Sequence, residues 1–460
     1  MKRYIITLLG LALLPSLFAA QRPNIVFVFT DDHAAHAISA YGSKINTTPN
    51  MDRLATEGML FEKCYVSNAI CGPSRAVILT GKYSHLNGFL KNQRQPFDGS
   101  QQTFPKLLRK VGYTTAVIGK WHLMPRGTPE MNDYLPQRHG FDVNIGGNQW
   151  GAPGSYFFPY ASRRRKIGVL PPGGKKGDYL TDRLTDEALK QLEANQENPF
   201  LLYFPYYNVH TPLQGKPELV AKYQARVRPT MKHQHAVYAS MVQSVDECVG
   251  RVLDELDALG LTEETLILFT SDNGGAGGLS SAPLRGGKGS AWEGGVREPT
   301  IAWWPGKVPA GSVCKEIAST MDLLPTFAKW AGGKVPDDRV IDGKDVGDLF
   351  LGKPGAKTPH DRFFYHQADN LRAVRSGPWK LFRNGPLYNL ENDLGEKKNV
   401  AAKHPNVVKR LTAYMNRFEQ DIKKNSRPIG KAKNPRTLVP RPGAEGEDAY
   451  TPTLLIGKTK

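Results

Sequence analysis

Four unbroken apolar runs, each ending on residues capable of chemistry, constrain the fold of this chain more than any other feature. Asn24-Ile25-Val26-Phe27-Val28-Phe29 leads into Thr30-Asp31-Asp32-His33. Thr114-Thr115-Ala116-Val117-Ile118-Gly119 leads into Lys120-Trp121-His122, and residues 200–207 lead into Asn208-Val209-His210-Thr211-Pro212. Thr265-Leu266-Ile267-Leu268-Phe269-Thr270-Ser271 ends in Asp272-Asn273-Gly274. Such runs, β-branched and aromatic with no polar alternation, read as strands buried on both faces, as in parallel sheets. Amphipathic helices lie between them. Residues 103–111 form a short one closed by Gly112, and Leu180, Leu184, Ala188 and Leu192 share one face of a second. The longest spans about 235–259, with Met241, Val245, Val249, Val252, Leu256 and Leu259 in phase and Gly260 as its cap. The alternation predicts an α/β fold with helices on both faces of a largely parallel sheet. Ligands of open α/β sheets bind beyond the carboxyl ends of the strands, so the polar residues after the four runs are expected to converge.

The two ends read differently. Met1-Lys2-Arg3, an apolar run over 4–14 and then Phe18-Ala19-Ala20 spell a secretory signal peptide over 1–20, which predicts export to the periplasm or the medium. No later apolar run is long enough for a membrane span, and no cysteine near the cleavage point suggests a lipid anchor. With 460 residues, 40% of them hydrophobic, the chain can bury a large core without disulfides. Its four cysteines, Cys64, Cys71, Cys248 and Cys314, are expected as buried free thiols. The net charge of +18 suits anionic partners such as sulfated or uronic polysaccharide, mucin or a membrane surface. Nucleic acid is a weaker candidate, because no reading motif is present.

Residues 140–178 are loop-like, rich in Gly, Pro and aromatics, and carry the basic run Arg163-Arg164-Arg165-Lys166. From about 355 the texture changes: short strand-like pieces at 363–366, 371–375 and 379–382 precede a helix over about 406–423. The expected organisation is a catalytic domain over 21–354, a smaller α+β domain over 355–424, and a basic Pro/Gly-rich tail over 425–460 that is mobile or wraps the surface.

Cys71-Gly72-Pro73-Ser74-Arg75 runs on into Ala76-Val77-Ile78-Leu79-Thr80-Gly81. Pro73 suits the first turn of a helix. Cys71 would then lie at the helix N-terminus, which lowers a thiol pKa and attracts oxyanions. Asp31, Asp32, Asp272 and Asn273 offer hard oxygens suited to Ca²⁺ or Mg²⁺ and poor for Zn²⁺. Taken singly, these are a core cysteine and ordinary Asx turns.

Taken together, the Cys71 block resembles the signature of type I sulfatases, in which this cysteine is oxidised to formylglycine. Gly119-Lys120-Trp121-His122, His210-Thr211-Pro212 and the stretch Leu284-Arg285-Gly286-Gly287-Lys288-Gly289 through Trp292-Glu293-Gly294-Gly295-Val296-Arg297-Glu298-Pro299 match further blocks of that family, in order. The resemblance spans from about residue 24 into the C-terminal domain. It implies the alkaline-phosphatase-like sulfatase fold: a large mixed sheet flanked by helices, plus a smaller C-terminal α+β domain with a short antiparallel sheet and a helix. It implies one Ca²⁺ held by Asp31, Asp32, Asp272, Asn273 and the modified residue 71. It implies a formylglycine hydrate as nucleophile, giving a covalent sulfo-enzyme, with Asp272 accepting the hydroxyl proton and Arg75 orienting position 71. Lys120 and Lys288 would clamp the sulfate, His210 would protonate the departing sugar oxygen, and His122 would take the proton that releases sulfate. A formylglycine-generating or anaerobic sulfatase-maturating enzyme is the implied partner.

The substrate implied is a sulfated glycan. The start of the chain is similar to the glucosamine-6-sulfatase and heparan-type branch. Gly147-Asn148-Gln149-Trp150-Gly151-Ala152-Pro153 and Ala373-Val374-Arg375-Ser376-Gly377-Pro378-Trp379-Lys380-Leu381 resemble the arylsulfatase A and galactosamine-6-sulfatase branch. The first expectation is therefore a terminal 6- or 3-sulfated galactose or N-acetylgalactosamine, cleaved in exo fashion. Sulfated N-acetylglucosamine comes second. Sugar contacts are expected from loops, at Trp150, Arg163, His366 and Arg372. The rival readings are a phosphonate or phosphodiester hydrolase of the same superfamily and a non-catalytic polyanion-binding protein.

Overall fold

A computed structural model describes residues 22–427, apart from 93–96, 98, 126–133, 169, 228–233 and 277–280. The expected signal peptide and all of the tail beyond 427 lie outside the described residues. The main sheet holds nine strands: β1 (Asn24–Thr30), β2 (Met59–Tyr65), β3 (Thr114–Ile118), β4 (Val143–Ile145), β5 (Phe200–Pro205), β6 (Thr265–Ser271), β7 (Arg297–Trp303), β8 (Ser312–Cys314) and β9 (Ala318–Ser319). Their order is β4-β3-β5-β1-β6-β7-β2-β8, with β9 pairing the far end of β2. Only β7 runs antiparallel to its neighbours, which makes the sheet mixed.

The four strands read from the apolar runs stand side by side at the centre. Ile25 pairs with Leu201 and Leu266, and Thr115 pairs with Leu201 across β5. Every residue of β1, β5 and β6 is buried. Alternation along β1 divides the core into two layers. Val26 and Val28 face the helices Leu180–Ala194 and Gln234–Ala258, meeting Leu184, Ala188, Val245 and Val249. Ile25, Phe27 and Phe29 face the helices Cys71–Thr80, Phe104–Lys110 and Leu323–Trp330, meeting Ile78, Leu108 and Phe327. No described helix is long and apolar enough to cross a membrane. The four cysteines are buried and unbridged.

The smaller sheet is antiparallel, in the order β10 (Phe363–Gln367), β11 (Asn370–Ser376), β12 (Trp379–Phe382), β13 (Leu387–Asn389), and the helix Pro405–Asn425 packs on it. A buried ionic knot joins this sheet to the main body. Lys380 on β12 has no exposed side-chain surface and lies 2.9 Å from Glu293 and 3.0 Å from Glu396. The Tyr65 hydroxyl donates to Glu293 at 2.7 Å, and Arg375 reaches the same tyrosine oxygen. Burial pushes the Glu396 carboxyl up to about 7 even beside Lys380. Lys380→Ala would strand two buried carboxylates, so we expect a loss of about 3–5 kcal/mol in urea unfolding. An unchanged midpoint would show that the knot is not holding the two sheets together.

Candidate active site

Because β3, β5, β1 and β6 are adjacent, their carboxyl ends lie about 4.8 Å apart from neighbour to neighbour. Backbone bonds carry this register past the strand ends. Asp31 N–H donates to Asn208 O at 2.7 Å, Lys120 N–H to Pro205 O at 2.8 Å, and Asp272 N–H to Thr30 O at 3.1 Å. Asp32 and His122 both hold left-handed backbone at φ 61°. Non-glycine residues rarely adopt that conformation unless their surroundings impose it.

The helix Cys71–Thr80 points its N-terminus at these strand ends. Extended Ile70 precedes it, and Gly81 at φ 63° ends it in the left-handed form that glycine tolerates. Gly72 N–H donates to the Asn92 side chain at 2.9 Å. Cys71 Sγ lies 3.3 Å from Asp31 Oδ1 and 3.9 Å from Asp32 Oδ1. The sequence suggested a thiol acidified by the helix dipole, and the structure reverses that. Burial, then the Asp31 carboxylate, push the Cys71 thiol well above its ordinary range.

Charge is balanced tightly around this point. Lys120 Nζ pairs with Asp31 Oδ2, and both side chains are fully buried. Lys288 Nζ lies 2.7 Å from Asp32 Oδ1, and His210 Nε2 lies 3.6 Å from Asp32 Oδ2. Arg75 Nε donates to Asp272 Oδ2 at 2.8 Å, while its Nη1 donates to the Lys120 carbonyl at 2.8 Å. Burial, the largest single influence, would raise the Asp31 carboxyl, but Lys120, His210 and Lys288 together outweigh it and hold the group below its usual range. Burial, then the Asp31 charge, push Asp272 the other way. His122 is driven well below its ordinary value by burial and then by Lys120 and Arg75, so it stands neutral. Nδ1–H of His210 donates to its neighbour's carbonyl, Thr211 O, at 2.9 Å, which leaves Nε2 for the site.

The model of the sulfatase family matches residues 23–333, more than half of the chain. The chain belongs to the sulfatase family. This sulfatase is a sulfuric ester hydrolase. N-acetylgalactosamine-6-sulfatase of Canis lupus familiaris is 36% identical over 401 residues, covering 79% of this chain and 72% of the relative. Among solved structures, Ps i-CgsB in complex with k-i-k-neocarrahexaose superposes with a TM-score of 0.76 at 31% identity, covering 89% of this chain and 95% of that one. BT4656 in complex with its substrate D-glucosamine-2-N,6-O-disulfate gives 0.70 at 27% identity, covering 88% and 99%. The fold is therefore the alkaline-phosphatase-like fold that the sequence suggested.

The residues present suit the metal ion that sulfatases use. Ligand atoms of Asp31, Asp32, Cys71 and His210 all lie within 4.8 Å of one another. Asn273 is fully buried and its Oδ1 has no hydrogen-bond partner, while its amide nitrogen donates to Asp32 Oδ1 at 2.7 Å. Both ring nitrogens of buried His122 also lack partners. A buried polar atom without a partner is costly. Sequence reasoning reached these residues but not Asn92, which fixes Gly72, nor Glu298. The latter is buried on β7 with neither carboxylate oxygen paired, and burial, then Asp272 and Asp32, push its carboxyl well up.

The four expected sugar contacts are dispersed. Trp150 is half-buried on a loop whose Gly151 lies so close to the His122 ring that an added Cβ would be 2.4 Å from it. Arg163 is exposed at the tip of a tight turn closed by the Ala161–Lys166 bridge, and Asn148 ties that turn to the Trp150 loop through Lys166 O at 3.0 Å. His366 is only 1% exposed, packed among Tyr83, His85 and Phe418. Arg372 is exposed on β11.

Proposed function

We propose that this sulfatase removes sulfate from a terminal 6-sulfated, or 3-sulfated, galactose or N-acetylgalactosamine of a glycosaminoglycan or mucin, with formylglycine at position 71 and one Ca²⁺. The observation that carries the reading is the clustering of Asp31, Asp32, Asn273 and Cys71 with the two lysines and two histidines at four adjacent strand ends. Bound Ca²⁺ would supply Lewis acidity and charge for the sulfate oxygens. Asp31, Asp32, Asp272, Asn273 and residue 71 would hold it. Oxygen-rich sites of this kind suit a hard cation of flexible coordination.

The chain's own groups do the rest. Lys120 and Lys288 hold the sulfate between two ammonium groups, where charge develops in the transition state. Arg75 holds the hydroxyls of the modified residue, because its position is fixed by Asp272 and the Lys120 carbonyl. Asp272 has one oxygen held by Arg75 at 2.8 Å, while the other accepts only a long 3.4 Å bond from Asp32 N–H and is the one to receive a proton from the attacking hydroxyl. His210 delivers a proton from Nε2 to the departing sugar oxygen. His122, kept neutral, takes the later proton that lets sulfate leave and restores the aldehyde.

The galacto preference rests on the relative named N-acetylgalactosamine-6-sulfatase. The gluco alternative rests on the BT4656 complex and its substrate. Trp150 neighbours Gly151, which packs against the His122 ring, and it and Arg163 are proposed sugar contacts. Arg372 lies exposed on β11, and buried His366 lies on the neighbouring strand β10. The +18 charge and the expected signal peptide fit an exported enzyme meeting polyanions. We expect desulfation in a panel of defined sulfated sugars, followed by NMR, to release sulfate from N-acetylgalactosamine 6-sulfate fastest. Cleavage of N-acetylglucosamine 6-sulfate alone would reject the galacto assignment. Faster turnover of a phosphonate monoester than of any sulfate ester would reject the sulfate preference.

A further inference from the structure

The structure holds a cleft of about 840 Å³ in the C-terminal part, between the β10–β11 turn, the helix Ser84–Asn87 and the last turns of the helix Pro405–Asn425. That is the size of a pocket that takes a ligand larger than one sugar ring. Its charges are unevenly committed. Asp369 is paired with Lys91 at 3.1 Å, and Glu419 with Arg383 at 2.8 Å. Arg372 and Lys423 line the same cleft, are exposed, and have no side-chain hydrogen bond or ion pair among the described residues. The acids are thus neutralised and two cations are left facing solvent. Phe418 adds a partly exposed ring, stacked on Phe364 at 3.9 Å and so held in place.

An ion pair and hydrogen bonds tie the walls of the cleft to the segments around Cys71 and Lys288. Asp369 is its wall, and the Lys91 that pairs with Asp369 precedes Asn92, which binds Gly72 next to Cys71. Gln367, at the start of the same turn, donates to the carbonyl of Gly289, which follows Lys288. Backbone bonds from Ala69 N–H to His366 O and from His366 N–H to Ser67 O fasten β10 to the segment entering Cys71. His85 supports the turn from below by donating Nε2–H to the Asp369 carbonyl at 2.8 Å.

We propose that this cleft is a second saccharide subsite, binding an anionic sugar of the same glycan beyond the unit whose sulfate is cleaved. The proposal rests on the sulfated-glycan reading above. A guanidinium and an ammonium without protein partners match a sulfate or carboxylate oxygen set. A fixed aromatic ring matches the apolar C–H face of a pyranose. A cationic ligand would meet uncompensated positive charge there. The subsite gives the enzyme a preference for chains over single sugars, because binding energy away from the reacting centre adds to kcat/KM.

The test is calorimetric binding of a chondroitin 6-sulfate tetrasaccharide and of N-acetylgalactosamine 6-sulfate to the Cys71→Ala protein, with and without Arg372→Gln and Lys423→Gln. Both residues are exposed, so the substitutions spare the core. We expect tetrasaccharide affinity to fall at least about tenfold, as for the loss of charge-assisted hydrogen bonds, and monosaccharide affinity to stay within about twofold. Equal tetrasaccharide affinity with and without the two substitutions, or no tetrasaccharide binding at all, overturns the subsite. A parallel fall for the monosaccharide also overturns it, by placing the two cations at the scissile sugar. Turnover of an aryl sulfate by the Cys71 protein is followed separately. Its absence would reject the catalytic reading while the binding comparison still judges the cleft.

Discussion

Cys71→Ala should fold as the parent does and lose turnover of any sulfate ester by at least about four orders of magnitude. The residue is 1% exposed, opens the helix Cys71–Thr80, and touches Asp31 through its sulfur alone. Removing one buried sulfur leaves a small cavity at a cost of about 1 kcal/mol, which a domain with this much core absorbs. Nothing else in the cluster can replace it as nucleophile: the nearby oxygens are carboxylates already paired with Lys120, Lys288 and Arg75. The thiol itself is a poor candidate, since burial and Asp31 keep it protonated. An oxidised side chain at position 71 resolves that difficulty, because a hydrated aldehyde brings hydroxyls where the structure has a sulfur. Two measurements check this. Initial rates on an aryl sulfate, with thermal unfolding in parallel, separate loss of chemistry from loss of fold. Mass spectrometry of the tryptic peptide covering residues 64–75 reports whether the thiol has become an aldehyde. Near-parental rates for Cys71→Ala would end the proposed mechanism.

The centre of the sheet was legible because its strands are buried on both faces and therefore carry no competing pattern. β1, β5 and β6 read from the sequence to within a residue or two of their observed ends. The flank of the sheet was not legible. β2 carries Glu62-Lys63 in its middle, where its pairing with β7 shifts register, so the charged pair hides the strand. β7 begins Arg297-Glu298-Pro299, which looks like a loop, yet Glu298 is buried and unpaired there. β4, β8 and β9 are two or three residues long, too short for any periodicity. The same division holds for the site. Residues at strand ends announce themselves by position. Asn92 sits in a loop with no pattern at all, and only the folded chain brings it to Gly72. The thiol pKa was misjudged because the helix N-terminus is visible in sequence while the burial and the facing Asp31 are not. The His366 ring was expected to meet sugar because its segment looked irregular, but β10 turns it inward against Tyr83 and Phe418.

Dialysis against a chelator should reduce the rate to about 1% or less, and Ca²⁺ should restore it where Zn²⁺ does not. The charge pattern makes the case. Asp31, Asp32 and Asp272 are at most 2% exposed, and each is neutralised by one cation: Lys120, Lys288 and Arg75. Lys120 and Lys288 pair with carboxylates that would also hold the ion. A divalent ion on the carboxylates relieves both lysines of that task, so sulfate binding and metal binding should be positively linked. Asn273 Oδ1, buried and without a partner, gains one in the same event. Binding that favours the folded state stabilises it by about 2.7 kcal/mol when free metal is a hundred times its dissociation constant. For a chain of this size that is a rise of a few degrees in the unfolding temperature. Asp31→Asn should remove most of that rise as well as the activity, since it takes away a charged ligand and leaves Lys120 unpaired in the core. Calcium titration followed by calorimetry provides a readout independent of turnover. If the unfolding temperature of the chelated protein is indifferent to Ca²⁺, or if metal analysis of the active protein finds stoichiometric Zn²⁺, the calcium assignment falls and the orphaned oxygens need another partner.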